Sequence, residues 1–313
     1  MSGSFNMILY LLVCILLLVL FGGSYYAYRL AFYSPTQGRD EIPQIKGEKY
    51  EKYKDAVRPL FRSLREKPCE FVSIRSRDGL LLSGRYYHQK DGAPLAIGFH
   101  GYKSCWLTDF CGGADIAFRM GQNVLLVDQR AHGRSEGRTI TFGIRERQDL
   151  LCWVEYAVER FGSQVQILLY GVSMGGATVL MSSGMELPDN VKGIVADCPY
   201  SAPLDIIREV GRQKGYPMKL VTPFLILGAK IYGGFDIREI TAREAVKNAA
   251  VPILIIHGQA DTFVPPEMSL AIRDSNPNLV RHHIFPGAYH ALSYMVDTPR
   301  YEQLIMDFMK EIL

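Results

Sequence analysis

The sequence predicts an α/β fold, a mostly parallel eight-stranded sheet with helices on both faces and a small helical lid. Three observations predict it. Beyond residue 68, short β-rich runs alternate with segments of helical length. The middle runs (LAIGF, VLLV, ILLY, ILII) are almost wholly apolar, which suits strands covered on both faces. One of them runs directly into Gly171-Val172-Ser173-Met174-Gly175, and a helical stretch follows at once.

Each element can be justified in order. Met7 to Phe21 is unbroken apolar sequence, extended without a charge to Tyr28, and no charged side chain precedes Arg29. A spanning helix needs about 20 such residues. Tyr25, Tyr26, Tyr28, Phe32 and Tyr33 suit a membrane interface. Residues 1–33 therefore read as a transmembrane anchor. A cleaved signal is the rival: Gly22-Gly23-Ser24 offers small residues for cleavage, but the leader lacks Lys and Arg. Positive charge lies downstream, at Arg29, Arg39, Lys46 and Lys49, which places the remainder in the cytoplasm; export is the alternative. Residues 34–68, charged and broken by Pro35, Pro43 and Pro59, read as a connector with some helix.

Residues 69–313 read as the catalytic domain. Glu70–Arg75 and Leu80–His88 flank Asp78-Gly79 as a hairpin. Strands are then expected at Leu95–Phe99, Asn123–Val127, Gln166–Tyr170, Val191–Ala196, Pro252–Ile256 and Val280–Phe285. Helices are expected near Thr108–Met120, Ile144–Arg160, Met174–Met185, Pro266–Asp274 and Arg300–Ile312. Residues 201–240 break the alternation and contain VTPFLILGAKIYGGF, which reads as a lid over the strand ends. Phe224, Leu225 and Leu227 are its candidate substrate-pocket residues.

Composition excludes some functions. Net charge is +3 with both signs scattered, so no nucleic-acid surface is expected. The six cysteines form no C-x-x-C pair and read as free, mostly buried thiols, which favours a reducing compartment.

The chemistry centres on G-x-S-x-G at 171–175. Its strand–turn–helix setting is that of a nucleophile elbow, which holds Ser173 in a strained turn. A serine hydroxyl needs a base. Of seven histidines, His290 sits in a turn-rich loop just past a strand and is the best candidate. His282 and His283 lie on the strand itself. Asp261, at the preceding strand end, is the preferred acid; Asp197 is its rival and otherwise shapes the floor of the lid. The oxyanion would be held by the backbone N–H of Met174 and that of Tyr102, in the loop opening with His100-Gly101. His100 reads as a structural hydrogen-bonder. In Asp128–Gly137, Arg130 reads as paired with Asp128 to fix a loop beside the site.

With these motifs in hand, the sequence resembles bacterial α/β-hydrolases of the serine aminopeptidase-like and esterase group. The matches are FHGYKS at 99–104, DQRAHGRSEG at 128–137, GVSMGG at 171–176, DCPYS at 197–201, HGQADTFVP at 257–265 and GAYH at 287–290. The resemblance implies no metal and no organic cofactor. It carries over Ser173, Asp261 and His290 and the two amides. Ala131, where relatives often have Gly, is a departure expected to have a small backbone effect. The resulting expectation is hydrolysis of an acyl or lipid-like ester through an acyl-enzyme. The rivals are an aminopeptidase-like enzyme using Asp205, Glu209 or Asp236 to hold an amine, an acyltransferase or thioesterase, and a catalytically silent binding module.

Overall fold

A computed structural model describes residues 2–35 and 48–313. Part of the expected connector, including Arg39, Pro43 and Lys46, lies outside the described residues. Helix α1 spans Ser2–Ala31, α2 Glu48–Glu51 and α3 Lys54–Glu66. The strands are β1 Glu70–Arg75, β2 Leu81–Tyr87, β3 Leu95–Phe99, β4 Asn123–Asp128, β5 Ile167–Val172, β6 Val191–Asp197, β7 Ile253–Gly258 and β8 Val280–Phe285. Between them run α4 Trp106–Arg119, α5 Glu146–Phe161, α6 Met174–Ser182, α7 Pro203–Gln213, α8 Met218–Ile231, α9 Ala242–Val246 and α10 Pro266–Arg273. Helices α11 Ser293–Val296 and α12 Thr298–Ile312 close the chain.

The eight strands form one sheet in the order β1-β2-β4-β3-β5-β6-β7-β8. Strand β2 is antiparallel to both neighbours, and every pairing from β4 to β8 is parallel. Every residue of β3, β4 and β7 is buried, because helices cover both faces and leave no room for polar alternation. Leu95, Ile97, Leu169 and Ile255 share one core with α5 and α6; Ala96 and Leu126 pack with α3 and α4 on the other face. Leu168 and Leu254 face α12 on that same side.

Strand β3 lies between β4 and β5, so the chain leaves it first one way and then the other. Loops diverging at such a switch open a crevice beyond the carboxyl ends of the strands. Strands β5 and β7 run further than the sequence predicts, to Val172 and Gly258, and deliver their motifs straight to that crevice.

Helices α7 and α8 form the insertion between β6 and β7. Helix α1 is more than a separate tail. Its side chains from Phe5 to Phe21 are exposed, yet Ser24, Ala27, Tyr28 and Phe32 are buried against the rest of the chain. It crosses α8 very closely: a Cβ on Gly228 would meet the Ser24 carbonyl oxygen at 2.4 Å, and one on Gly23 would meet the Phe224 ring at 2.9 Å. Phe32 is edge-on to Phe142 and Phe235, and the Ile140 amide donates to its carbonyl.

Candidate active site

Ser173 ends β5 and precedes α6, at φ 54° and ψ −112°. A non-glycine backbone in such a region costs about 1–3 kcal/mol and persists only where neighbours hold it. The Ser173 amide donates to Asp197 O at 2.8 Å, and the Ala177 amide donates to Ser173 O at 2.9 Å. The flanking glycines are required by space. A Cβ on Gly175 would lie 1.8 Å from Phe99 O, and one on Gly171 would lie 2.2 Å from Gly175 O.

The Ser173 hydroxyl lies 2.9 Å from His290 Nε2. His290, in the loop after β8, has its Nδ1 2.7 Å from Asp261 Oδ2. Asp261, after β7, is fully committed. Its Oδ1 accepts the amides of Phe263 and Val264, each at 2.9 Å, and His257 Nε2 lies 3.3 Å from its Oδ2. Burial works to raise this carboxyl, but hydrogen bonds from His257 and His290 outweigh it and hold the group well below the usual carboxylate range. Asp261 is therefore ionised wherever the protein is folded near neutrality. The Phe263 ring packs 5.0 Å from the His290 ring.

The loop after β3 is pinned on both sides of Tyr102. The Gly101 amide donates to Asp109 Oδ2 at 2.6 Å, Ser104 Oγ donates to Asp109 Oδ1 at 2.6 Å, and the Lys103 amide donates to His132 Nε2 at 3.0 Å. The Tyr102 and Met174 amides have no protein acceptor among the described residues. His132 and His100 are both buried, and burial lowers them to about 3 and about 4. Each is a neutral imidazole whose Nδ1–H donates to a carbonyl (Arg130 and Gly101), leaving Nε2 to accept a backbone amide.

Asp109 and Tyr50 escape the sequence reading, and His132 enters it only as part of the Asp128–Gly137 motif. Asp109 is an ordinary first-turn acid of α4, and nothing in its spacing links it to Gly101. Tyr50, in α2, donates its hydroxyl to His290 O at 3.2 Å; burial, with the charges of neighbouring groups, raises the phenol to about 12 and keeps it a donor.

Several expectations need correction. Arg130 does not pair with Asp128. It donates to both oxygens of Asp149 at 2.6 Å and bridges to Asp78, while Asp128 takes Arg85 at 3.1 Å. Asp128 ends β4, where its carboxylate takes the Arg85 guanidinium from β2 and also accepts the Arg134 amide of its own loop at 3.1 Å. Asp197 does not shape the lid floor: it is buried beside α12, where Tyr301 Oη donates to it at 3.0 Å. Ala131 sits at φ 61°, a left-handed conformation that costs an alanine about 1–2 kcal/mol, more than a small effect.

Two cavities meet at Ser173. One, about 370 Å³, runs among α2, α3, α4 and α11 and includes Asp109, Asp197 and His290 in its walls. The other, about 350 Å³, lies between α1, α7 and α8; Phe224 and Leu225 line it, with Ser173, Met174 and Tyr102. Leu227 lines neither, because two residues beyond Leu225 carry it about 200° around the helix. Cys198 Sγ, Asp261 and His290 come within 4.8 Å of one another, the one such cluster of possible metal ligands among the described residues. Both imidazole nitrogens of His290 are already bonded to Ser173 and Asp261, and burial pushes the Cys198 thiol well up, so these groups are poorly disposed to share a cation.

Comparison with known proteins agrees with this geometry. A family model for the α/β-hydrolase fold matches residues 98–220. The uncharacterised protein YqkD of Bacillus subtilis is 26% identical over 61% of this chain and 63% of its own length. The thiohydrolase aneE of Aspergillus aculeatus is 28% identical over 43% of this chain and 42% of its own. An uncharacterised membrane protein of Saccharomyces cerevisiae is 24% identical over 63% of this chain and 64% of its own. The matched stretch thus spans less than two thirds of each of these relatives. Among solved structures, the Pyrococcus furiosus esterase Pf2001 superposes with TM-score 0.65 at 24% identity, covering 87% of this chain and 97% of that one. Est1E of Butyrivibrio proteoclasticus superposes with TM-score 0.62 at 23% identity, covering 77% and 98%. Sheet order, elbow geometry and these likenesses lead to one conclusion: the chain has the α/β-hydrolase fold.

Proposed function

We propose that this protein is a serine hydrolase that cleaves a carboxylic ester of an apolar acyl group through an acyl-enzyme. The observation that carries the reading is the 2.9 Å approach of Ser173 Oγ to His290 Nε2, with Asp261 on the far ring nitrogen. Nε2 takes the hydroxyl proton as Oγ bonds to the ester carbonyl carbon. Asp261 keeps the proton on Nδ1 and stabilises the imidazolium that forms. The carbonyl oxygen, now negative, is met by the amides of Tyr102 and Met174. The carbon–oxygen bond to the alcohol then breaks, and the His290 proton leaves with the alcohol. Water attacks the acyl-serine, gives its proton to Nε2, and the acid departs as Ser173 is reprotonated. No metal or organic cofactor enters these steps.

The acyl group is assigned to the cavity under α8, whose only charged wall residue among the described residues is Lys214. A peptidase reading would need a free lid acid for the amine. Asp205 faces Arg208 and Arg243, Glu209 pairs with Arg212 at 2.6 Å, and Asp236 pairs with Arg238 at 2.9 Å, so all three are already neutralised. Thioester cleavage would use the same steps, and the relative named a thiohydrolase favours keeping it beside the oxygen ester. A fluorophosphonate probe should label Ser173, and a panel of acyl esters, acyl thioesters and aminoacyl amides should show turnover of acyl esters first. Labelling elsewhere, or turnover of amides alone, would overturn the reading.

Helix α1 is proposed as an uncleaved membrane anchor. Phe5–Ala31 is long and apolar enough to cross a bilayer. Gly23 and Ser24, the cleavage candidates, lie inside its crossing with α8. The catalytic domain is placed on the cytoplasmic side, since positive charge is met only at the end of the apolar helix, at Arg29, and beyond it, at Lys49. Protease added to intact cells should spare it; digestion before lysis would reverse the orientation.

A further inference from the structure

The cavity beside Ser173 is built partly by the anchor. Helix α1 contributes Ala27, Leu30 and Ala31 to its wall, opposite Val210 of α7 and Phe224 of α8. Most of a closed cavity's wall is buried; wall residues that are also exposed mark an opening. Tyr26 and Leu30 of α1 are 63% and 48% exposed, and Tyr216, between α7 and α8, is 44% exposed, yet all three line the cavity. An opening therefore lies between α1 and the α7–α8 insertion.

That opening is at the level where α1 leaves the domain. Tyr232 Oη, at the end of α8, donates to Phe21 O at 3.1 Å, and every described side chain before Phe21 is exposed. Tyr26 is only five residues further on, about 7.5 Å along the helix axis. The apolar helix is 27 residues long where about 20 suffice to span, so its last two turns can dock on the domain while the rest remains in lipid. The surface around the opening suits the same boundary. Leu220 and Ile231 are exposed on α8, and Arg29, Lys214, Lys219 and Lys230 are exposed around them, a mixture that fits acyl chains and anionic head groups.

We propose that the enzyme takes a long-chain lipid ester directly from the bilayer, the acyl chain entering between Leu30 of α1 and Tyr216 of the insertion to bring its carbonyl to Ser173. This rests on the acyl-ester hydrolase reading and on α1 entering the membrane. The anchor is then a wall of the substrate site as well as a tether, and the extended chain never has to cross water to reach the serine.

The test uses the full chain reconstituted in vesicles of ether-linked phosphatidylcholine, which it cannot hydrolyse. Two probes are compared, a fluorogenic palmitoyl ester held in the vesicles and a water-soluble butyryl ester. With total palmitoyl ester fixed, adding ether lipid should lower its turnover in proportion to its mole fraction in the bilayer and leave butyryl turnover unchanged. Leu30→Trp, which narrows the opening at an exposed site, should lower the ratio of palmitoyl to butyryl turnover by about tenfold, as an overpacking cost near 1.4 kcal/mol predicts. Leu227→Ala, at a position that lines neither cavity, should keep the ratio near wild type. Palmitoyl turnover that follows total concentration regardless of dilution would overturn the proposal, as would a Leu30→Trp ratio equal to wild type. Butyryl turnover without any palmitoyl turnover would overturn it and leave the hydrolase reading standing. Turnover of neither ester would remove both.

Discussion

The phenol of Tyr102 donates to the carbonyl of Ala31 at 2.9 Å. This bond ties the loop after β3 to the last turn of α1, across 71 residues of sequence. The Tyr102 ring also stacks on Phe142 at 5.0 Å, and Phe142 meets Phe32 just beyond α1. The residue whose amide is proposed to meet the oxyanion is thus held by the segment proposed to meet the membrane. Burial raises the Tyr102 phenol to about 12, so it remains a donor throughout the working pH range.

Ser173→Ala should lower kcat by on the order of 10⁵-fold or more, as loss of a nucleophilic serine does in other triads, and abolish fluorophosphonate labelling. Alanine keeps the Cβ and leaves little void, so the thermal midpoint should stay close to wild type. Turnover at the wild-type rate would move the nucleophile elsewhere.

The two acids at neighbouring strand ends should separate cleanly. Asp261→Asn removes the group that holds the Nδ1 proton and should cost about 10⁴-fold in kcat. Asp197 touches Tyr301 and not His290, so Asp197→Asn should cost less than about tenfold. Steady-state kinetics on a soluble ester would show the reverse ranking if Asp197 were the acid.

Asp197 instead sets a pH dependence of stability. Burial raises its carboxyl to about 6, and the hydrogen bond from Tyr301 offsets only part of the effect. Its Oδ1 has no hydrogen-bond partner among the described residues. The folded state binds this proton more tightly than the unfolded chain. The contribution is therefore full below about pH 4 and is lost as pH rises through about 6. Asp197→Asn should remove the loss, gaining on the order of 2 kcal/mol over wild type between pH 4 and pH 8. Thermal melts across that range should show the gap in midpoint widening with pH; a constant gap would contradict the assignment.

Asp109 should act as a positioning residue. Its two oxygens hold Gly101 and Ser104 on either side of Tyr102. Asp109→Ala should lower kcat by about 10–100-fold with little change in KM, less than removal of an oxyanion donor itself. Asp109→Asn keeps one acceptor and should recover part of the loss. A drop confined to KM, or an unfolded Asp109→Asn variant, would point to another role.

The cavity wall predicts a graded lid series. Phe224→Ala and Leu225→Ala should shift the preferred acyl chain length, since each CH₂ gained or lost in contact is worth about 0.8 kcal/mol. Leu227→Ala should leave the profile unchanged, because Leu227 lines neither cavity. Equal shifts at all three positions would indicate a general loosening of α8.

What the sequence determined by itself was local. Periodicity marked the strands, and the apolar runs marked those covered on both faces. Gly171, Ser173 and Gly175 marked the turn into α6, and strand-end positions singled out Asp261 and His290. These are readable because backbone geometry and burial act on neighbours in the chain. The tertiary structure decided what meets what. The register from β5 through β8 brings the ends of β5, β7 and β8 together so that two contacts close at 2.9 and 2.7 Å. It gives Arg130 to Asp149 and Asp78, and Asp109 to the loop after β3. It also turns Leu227 away from the cavity while leaving Phe224 and Leu225 in it. Helix α1 is the sharpest case: hydropathy reads its whole length as one apolar segment, and only the close crossing at Gly23 and Gly228 divides the exposed part from the docked part. Such a contact depends on two backbones distant in sequence approaching to van der Waals distance, a condition that no local pattern in either segment encodes.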